Sequence, residues 1–258
     1  MDNENRERLL VTVCGRAGSK GFANKNLKTF CGRPLVYYTL SAAALFAAAH
    51  PGVAVDVALN TDSDLLAKLV AEKYPEVHYL PRGAALGGDT VPKMAVFQDS
   101  LARMEAAQGC PYDFVMDLDI TSPLRTAEDI ANAYDLKRSR PDLDLVFSVT
   151  EARRNPWFNM VKAAGDHVEK VIESPYTARQ QAPAVYDLNA SIYVFERNFL
   201  AGNKTGILWD GKIGVSTMLD TGVLDIDSEE DYLLMEVIAN HLFQNHPDFA
   251  AVRGNIRL

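Results

Sequence analysis

Arginine, lysine, glycine and serine are concentrated in one short stretch near the start of the chain, GRAGSKGFANKN at residues 15–26. It follows the apolar run LLVTVC, which predicts a buried β-strand. Glycines let a backbone approach an anion closely, and cationic side chains with exposed N–H groups neutralise the anion. The stretch therefore predicts a phosphate-binding loop, with a solvated basic turn as the alternative. Its glycine spacing fits neither the dinucleotide fingerprint nor the P-loop motif.

A second stretch, LDIDSEEDY, carries Asp225 and Asp227 two residues apart. In an extended segment both carboxylates point to one side, where they repel each other unless a cation lies between them. Mg²⁺ suits such a pair because it binds one or two carboxylates together with phosphate oxygens and water. The alternative is helix capping by Asp227 or Ser228, with the following acidic residues at the positive end of the helix.

A third stretch, MDLDITSPLRTAEDI, places Asp117 and Asp119 at the end of another apolar run. This D-x-D pattern also occurs as the metal motif of glycosyltransferases that use nucleotide sugars, which gives a rival hypothesis. Thr126 and Asp129 have the spacing of a capping box and predict that a helix begins there.

The elements that must position these stretches alternate between short strands and amphipathic helices. This rhythm predicts an α/β protein, a three-layer α/β/α sandwich with a mostly parallel sheet, in which ligands bind at the carboxyl ends of the strands. The predicted strands are Leu9–Cys14, Ala54–Asn60, Val77–Leu80, Phe114–Leu118, Leu145–Val149 and Ser191–Phe195. The predicted helices are Leu35–Ala49, Ser63–Tyr74, Val91–Ala107, Ala127–Lys137 and Ser228–Phe243.

Composition limits the class of protein. The chain has 258 residues, of which 48% are hydrophobic, and a formal net charge of −8, which disfavours a general nucleic-acid binder. Its longest apolar run is broken by proline and glycine, and its N-terminus, MDNENRERLL, is polar apart from the two leucines and carries both charge signs, so we expect no membrane span, no leader and a cytoplasmic location. A segment rich in proline and aromatic residues interrupts the alternation. We expect a single nucleotidyltransferase domain over 1–258, with an inserted sub-domain at about 152–190.

Six ordered blocks, covering nearly the whole chain, resemble the acylneuraminate cytidylyltransferases, which make CMP-activated nonulosonic (sialic-acid-like) sugars. They are GRAGSKGFANKN, LPRGAALGGDT, TSPLRTAEDI, RNPWFNMV, ARQQAPAVYDLNASIYVF and LDIDSEEDY. The resemblance implies the nucleotide-diphospho-sugar transferase (Rossmann-like) fold, CTP and a nonulosonic acid as substrates, and Mg²⁺ as cofactor. It also implies a homodimer in which the inserted sub-domain serves dimerisation and sugar binding, with neither nucleic acid nor a membrane as partner.

The resemblance also assigns roles to residues. Arg16 and Lys20 would stabilise the triphosphate during catalysis, and Asp225 and Asp227 would bind Mg²⁺, with Asp227 counted among the catalytic residues. The residues implied in substrate binding are Ala17, Gly18, Ser19 and Asn26 for the triphosphate, Arg82 and Asp89 for the nucleotide, and Arg179, Gln180, Tyr186 and Asn189 for the sugar.

Two departures concern the sugar. Asp119 stands where sialic acid enzymes commonly have glutamine, and Ala178 stands where the first arginine of an R-R-Q block is often found. We therefore count Asp119 among the substrate-binding residues and expect a relative of sialic acid, such as legionaminic or pseudaminic acid, or another 3-deoxy-2-ulosonic sugar. A glycosyltransferase that uses Asp117 and Asp119, or a catalytically silent nucleotide-binding relative, remains the alternative.

Overall fold

A computed structural model of the protein describes residues 6–18, 22–88, 91–223 and 225–257. The strands in these ranges are β1 (Glu7–Gly15), β2 (Thr29–Phe30), β3 (Arg33–Pro34), β4 (Val53–Thr61), β5 (His78–Pro81), β6 (Phe114–Leu118), β7 (Leu145–Glu151), β8 (Val161–Ala164), β9 (His167–Lys170), β10 (Tyr186–Glu196) and β11 (Ile213–Thr217). The helices are α1 (Leu35–Ala49), α2 (Asp64–Lys73), α3 (Lys93–Gln108), α4 (Ala127–Ser139), α5 (Arg197–Gly202), α6 (Glu229–Asn245) and α7 (Pro247–Gly254).

Within the described ranges, seven strands form one sheet in the order β11-β7-β10-β6-β1-β4-β5. The pairs β1·β4, β1·β6, β4·β5 and β7·β11 are parallel, whereas β10 runs antiparallel to both of its neighbours, β6 and β7. The prediction of an α/β protein with a mostly parallel sheet is confirmed. Because β1, β4, β5 and β6 are parallel, their carboxyl ends meet at one edge of the sheet.

Two hydrophobic cores cover the two faces of this sheet. Alternation along β1 sends Leu9 and Val11 to the face covered by α1, α2, α4, α6 and α7, and sends Leu10 to the face covered by α3 and α5. Apolar side chains on both faces of the sheet thus pack against helices on both sides. The three layers follow from this alternation.

Several elements lie beyond the sequence prediction. Strand β10 begins five residues before the predicted Ser191, and it is irregular near Ala190, whose φ is +53°. Strand β11, helix α7 and the β8–β9 hairpin were not predicted. The hairpin lies inside the 152–190 segment as a separate two-stranded sheet, and the division into a domain with a sub-domain stays a prediction.

In the parts of the chain that the structure describes, no helix combines the length and the apolar character needed to cross a bilayer. The cytoplasmic location stays a prediction.

Candidate active site

A cleft of about 380 Å³ lies at the carboxyl edge of the sheet, beside the ends of β1 and β6. It brings together residues from all three stretches that the sequence singled out. The predicted site residues that line it are Arg16, Asn26, Arg82, Asp119, Asp225 and Asp227. Ser19, Lys20 and Asp89 lie outside the described residues.

The loop after β1 begins at a glycine that the packing requires. A Cβ on Gly15 would come within 2.7 Å of Leu66 Cδ2 and 2.9 Å of Ile120 Cδ1, so a larger residue would push the loop away from the sheet. Gly18 follows with a φ of +69°, a left-handed conformation that favours glycine. Asn26 is buried, and its Nδ2 donates to the Arg16 carbonyl at 3.1 Å. The predicted binding residue Asn26 therefore holds the main chain of the loop.

One predicted donor of the loop already has a protein partner. The backbone N–H of Ala17 donates to Asp62 Oδ1 at 2.6 Å, across from the end of β4. A carboxylate thus occupies one N–H that the sequence assigned to the nucleotide. Sequence reasoning missed this contact because Asp62 belongs to a different strand end.

The loop is tied to the acidic segment by Lys25. Its ammonium donates to Asp227 Oδ1 at 2.9 Å and to the Ile226 carbonyl at 2.8 Å. Ile226 is fully buried, so the aspartates that flank it, Asp225 and Asp227, turn towards the cleft. Ser228 caps α6, and its hydroxyl accepts from the N–H of Asp231 at 3.1 Å. The cap is therefore Ser228, and Asp227 remains available for another role.

Asp225 differs electrostatically from Asp227. Its Oδ1 is buried without a hydrogen-bond partner among the described residues, whereas the side chain of Asp227 is 78% exposed. Burial raises the pKa of Asp225, and the nearby carboxylate of Asp119 raises it further. A bound cation would relieve both effects. In the described ranges no cluster of three or more His, Cys, Asp or Glu residues is arranged to hold a metal, so a cation here would take its other ligands from substrate and water.

Arg82 is oriented by the end of β4. Its Nε donates to Asn60 Oδ1 at 2.7 Å and its Nη2 to the Asn60 carbonyl at 2.9 Å. Asn60 is fully buried and is itself bonded to Ser100 Oγ at 3.0 Å. A planar guanidinium fixed along one edge presents its remaining N–H groups in a defined direction, here along the wall of the cleft.

The third stretch contributes one carboxylate to the cleft and buries the other. Asp119 lines the cleft and forms an ion pair with Lys93. Burial alone would raise the pKa of Asp119, but the ammonium of Lys93 outweighs it and holds this pKa below its usual range. Asp117 is 1% exposed, and burial raises its pKa to about 6, although Lys93 and Thr12 offset part of the effect. Asp117 therefore cannot act with Asp119 as a cleft-facing metal motif.

Of the residues assigned to the sugar, Asp119 lines this cleft, whereas Arg179, Gln180, Tyr186 and Asn189 are not among the described residues that line it. Arg179 and Gln180 lie in an exposed turn, where Arg179 donates to the Ala152 carbonyl, and Tyr186 is 46% exposed. Asn189 is buried, and its Oδ1 accepts from Ser148 Oγ at 2.5 Å. Their role in sugar binding stays a prediction.

Three cleft residues with a charged or hydroxyl side chain received no role from the sequence: Lys25, Lys93 and Thr121. Lys25 and Thr121 belong to the motifs K-N and T-S-P-L-R, which were a signal for them. Lys93 had no such signal beyond its position at the start of a predicted helix. Its place in the cleft involves a contact with Asp119, which lies 26 residues further along the chain, so no local pattern could indicate it.

Comparison with known proteins agrees with this architecture. The sequence profile of the family described as "Cytidylyltransferase" matches residues 10–210. The chain is 33% identical over 241 residues to the post-translational flagellin modification protein B of Campylobacter coli, covering 93% of this chain and 99% of that protein. It is 35% identical over 230 residues to the CMP-N,N'-diacetyllegionaminic acid synthase of Campylobacter jejuni, covering 89% of this chain and 94% of that protein.

Among solved structures, the fold is similar to CMP:2-keto-3-deoxy-manno-octonic acid synthetase complexed with CTP. The TM-score is 0.62 at 15% identity, over 92% of this chain and all of the other. The 4-diphosphocytidyl-2C-methyl-D-erythritol synthase of Anaerococcus prevotii gives a TM-score of 0.59 at 13% identity, over 91% of this chain and 99% of the other. At these identities the structures show the fold alone, whereas the profile covers more than half of the chain. The chain is therefore a nucleotidyltransferase that belongs to the cytidylyltransferase family.

Proposed function

We propose that this protein transfers the cytidylyl group of CTP to a nonulosonic acid, giving a CMP-sugar and pyrophosphate. One observation carries the proposal: a single cleft joins the cationic loop after β1 to the acidic segment around Asp225 and Asp227. A nucleoside triphosphate needs both features, since cations neutralise its phosphates and carboxylates retain the divalent cation that accompanies it.

The residues present fit a magnesium ion. Asp225 offers a buried carboxylate oxygen that has no hydrogen-bond partner in the described residues, and Asp227 offers a second, largely exposed carboxylate. Mg²⁺ held by this pair would supply Lewis-acid stabilisation of the phosphate oxygens. With only two protein ligands, it would keep several sites for phosphate and water, as Mg²⁺ commonly does.

In the proposed reaction the anomeric hydroxyl of the acid forms a bond to the α-phosphorus of CTP. The bond from that phosphorus to the bridging oxygen of the β-phosphate breaks, pyrophosphate leaves, and the hydroxyl proton passes to a base. The protein aligns the two substrates and stabilises the negative charge that builds on the phosphates. Arg16 and Lys25 line the cleft on the loop side, and their positive charges would stabilise this negative charge. The sequence assigns Lys20 to the same task.

The relatives direct the choice of sugar. The Campylobacter jejuni relative, 35% identical over 230 residues, is named as a synthase of CMP-N,N'-diacetyllegionaminic acid. The N-acylneuraminate cytidylyltransferase of Streptococcus agalactiae is less similar, at 26% identity. We therefore propose an acid of the legionaminic type as the preferred acceptor and sialic acid as a poorer one.

The burial of Asp117 speaks against the glycosyltransferase alternative. A D-x-D metal motif needs both carboxylates at the nucleotide, yet the side chain of Asp117 points into the protein and accepts from Thr12 Oγ1 at 2.8 Å. The cleft-facing Asp119 is already paired with Lys93. Asp117 and Asp119 therefore do not form the metal motif that a glycosyltransferase would need.

A homodimer is part of the proposal, with the 152–190 segment as its contact. The β8–β9 hairpin exposes Val161 and Val168, which are 61% and 62% accessible. The register pairs Val161 with Lys170 and Ala163 with Val168, so both valines lie on the same face of the hairpin. A second copy of the chain would cover this small apolar face.

The test is pyrophosphate release from CTP and Mg²⁺ with a panel of acids: N,N'-diacetyllegionaminic, pseudaminic, N-acetylneuraminic and 2-keto-3-deoxy-manno-octonic acid. We expect release that requires both CTP and an acid, is fastest with the legionaminic acid and stops with excess EDTA. UTP, ATP and GTP serve as controls for the nucleotide. The absence of acid-dependent release across the panel would refute the proposal, and so would sugar transfer from a CMP-sugar without pyrophosphate.

A further inference from the structure

Lys93 and Asp119 form an ion pair inside the cleft, on the wall formed by the start of α3 and the end of β6. The two residues differ sharply in exposure: the side chain of Asp119 is 12% accessible, and that of Lys93 is 54% accessible. The carboxylate is thus the buried member of the pair. Lys93 is the member whose side chain a bound substrate can reach.

Asp119 is held from several directions. Its Oδ1 accepts from the N–H of Thr121 at 2.9 Å and from Thr121 Oγ1 at 2.6 Å, and its Oδ2 accepts from Lys93. Its main-chain oxygen accepts from Thr39 Oγ1 and from the buried guanidinium of Arg125, both at 3.1 Å. With both carboxylate oxygens bonded to protein groups, Asp119 is suited to fix Lys93 in place.

The position of Lys93 in helix α3 does not stabilise its positive charge. It is the first residue of α3, where the partial positive charge of the helix end disfavours a cation. Among the described residues its hydrogen bond goes to Asp119, and an ammonium has three N–H donors. An ammonium at this position is better explained by a ligand than by helix stability.

The proposed acceptor has an anion for this ammonium. In a nonulosonic acid the reacting hydroxyl and the carboxylate are bonded to the same carbon. When that hydroxyl approaches the α-phosphate beside Asp225, the carboxylate of the acid must lie near a like charge. Asp225 belongs to the same wall, because Thr121 interacts with both Asp119 and Asp225. A cation is therefore needed on this wall, and Lys93 supplies one.

We propose that Lys93 binds the carboxylate of the acceptor acid, and that Asp119 is the positioning residue that holds Lys93 for this contact. The proposal rests on the proposed function, since it needs an acid as the second substrate. It also revises the sequence expectation that Asp119 itself binds the sugar. The pair thus serves acceptor binding, and the loop after β1 serves the nucleotide.

The test separates the two substrates kinetically. We expect Lys93→Met to raise KM for the acid roughly 10- to 100-fold, the factor that corresponds to one lost charge-assisted hydrogen bond, with KM for CTP unchanged. Lys93→Arg retains the charge and should restore much of the affinity. Lys68→Met, at an exposed lysine of α2, is the matched control and should behave as the wild type.

Asp119→Asn should raise KM for the acid in the same direction. Because Asp119 acts through Lys93, the double variant Lys93→Met/Asp119→Asn should be no worse than Lys93→Met alone, whereas independent roles would multiply the two effects. The double variant also avoids leaving a buried carboxylate without its cation, so it keeps the question answerable if Lys93→Met folds poorly.

A modified acceptor gives a direct readout. The wild type should prefer the acid to its C1 amide, and Lys93→Met should lose this preference. An unchanged KM for the acid in Lys93→Met, or a raised KM for CTP instead, overturns the inference and leaves the proposed function standing. If the wild type releases no pyrophosphate with any acid, the proposed function fails and this inference fails with it.

Discussion

Replacing Asp117 with asparagine should stabilise the folded protein, and more strongly at neutral than at acid pH. Asp117 lies in β6 beneath the cleft and is 1% exposed. Thr12 Oγ1 donates to its Oδ1 at 2.8 Å, but its Oδ2 is buried without a partner among the described residues. Burial raises the pKa of Asp117 from 3.8 to about 6 because the ionised form loses its hydration.

The pKa of Asp117 is about 6 in the folded protein and close to the ordinary value of 3.8 in the unfolded chain. This order determines how the free energy of unfolding changes with pH. Between about pH 4 and pH 6 the folded protein binds more protons at Asp117 than the unfolded chain does, so the free energy of unfolding falls as the pH rises. At about 1.4 kcal/mol per pKa unit, the ionisation of Asp117 lowers the free energy of unfolding by about 3 kcal/mol near pH 7.5 and by about 1 kcal/mol near pH 4.5. Asparagine removes this cost and retains an oxygen for Thr12.

Urea unfolding of the wild type and of Asp117→Asn at a series of pH values measures the effect. The stability gained by the variant should grow by about 2 kcal/mol between about pH 4.5 and pH 7.5. Asp135→Asn, at an exposed carboxylate of α4, is the matched control and should show no such trend. A gain that does not depend on pH, or a loss of stability at neutral pH, would refute the reasoning.

Three further outcomes are expected. Asp225→Asn should slow pyrophosphate release by roughly a hundredfold or more because a charged ligand of the proposed metal is lost, while urea unfolding shows no loss of stability. Arg125→Met should lower the free energy of unfolding by about 3 kcal/mol, since Ser191, Thr39 and the Asp119 carbonyl lose a buried donor; an unchanged urea midpoint would contradict this. Aspartate at both Val161 and Val168 should convert the proposed dimer into a monomer by size-exclusion chromatography with light scattering, and a dimer that persists would count against the hairpin interface.

Elements whose structure depends on local pattern were predictable from the sequence. Strand β6 and helix α1 have the predicted bounds, because a short run that is apolar except for Asp117 and a long apolar helical segment both need burial. The capping box of Thr126 and Asp129 was also predicted, and α4 begins directly after Thr126. For α6 the sequence offered Asp227 or Ser228 as the cap, and the helix begins directly after Ser228.

What the sequence did not predict depends on partners distant in the chain. Strand β11 is short, contains a glycine and exposes Val215, so its alternation is weak and it is a strand because it pairs with β7. Helix α7 has only eight residues and starts at Pro247. The antiparallel direction of β10 has no local signature, since direction depends on the connection rather than on composition.

In the candidate site, too, some features were predictable from local sequence, and others depend on residues far apart in the chain. Residue type and spacing predicted Arg16, Asp225 and Asp227 as site residues, the resemblance added Arg82, and all four line one cleft. Spacing could not predict which charges pair. The ion pair of Lys25 with Asp227 joins residues 202 positions apart, and only the folded chain shows that the loop and the acidic segment hold one another.

The three carboxylates that line the described part of the cleft therefore differ in what they can bind. Asp119 is paired with Lys93, and Asp227 is paired with Lys25, whereas Asp225 keeps a buried oxygen without a hydrogen bond among the described residues. A divalent cation gains most at Asp225, where no ammonium must first be displaced and where it relieves the cost of burying a charge. A cation that also binds Asp227 competes with Lys25 for that carboxylate. Lys25 would then be released towards the phosphates that arrive with the cation, so metal and nucleotide would favour each other in this cleft.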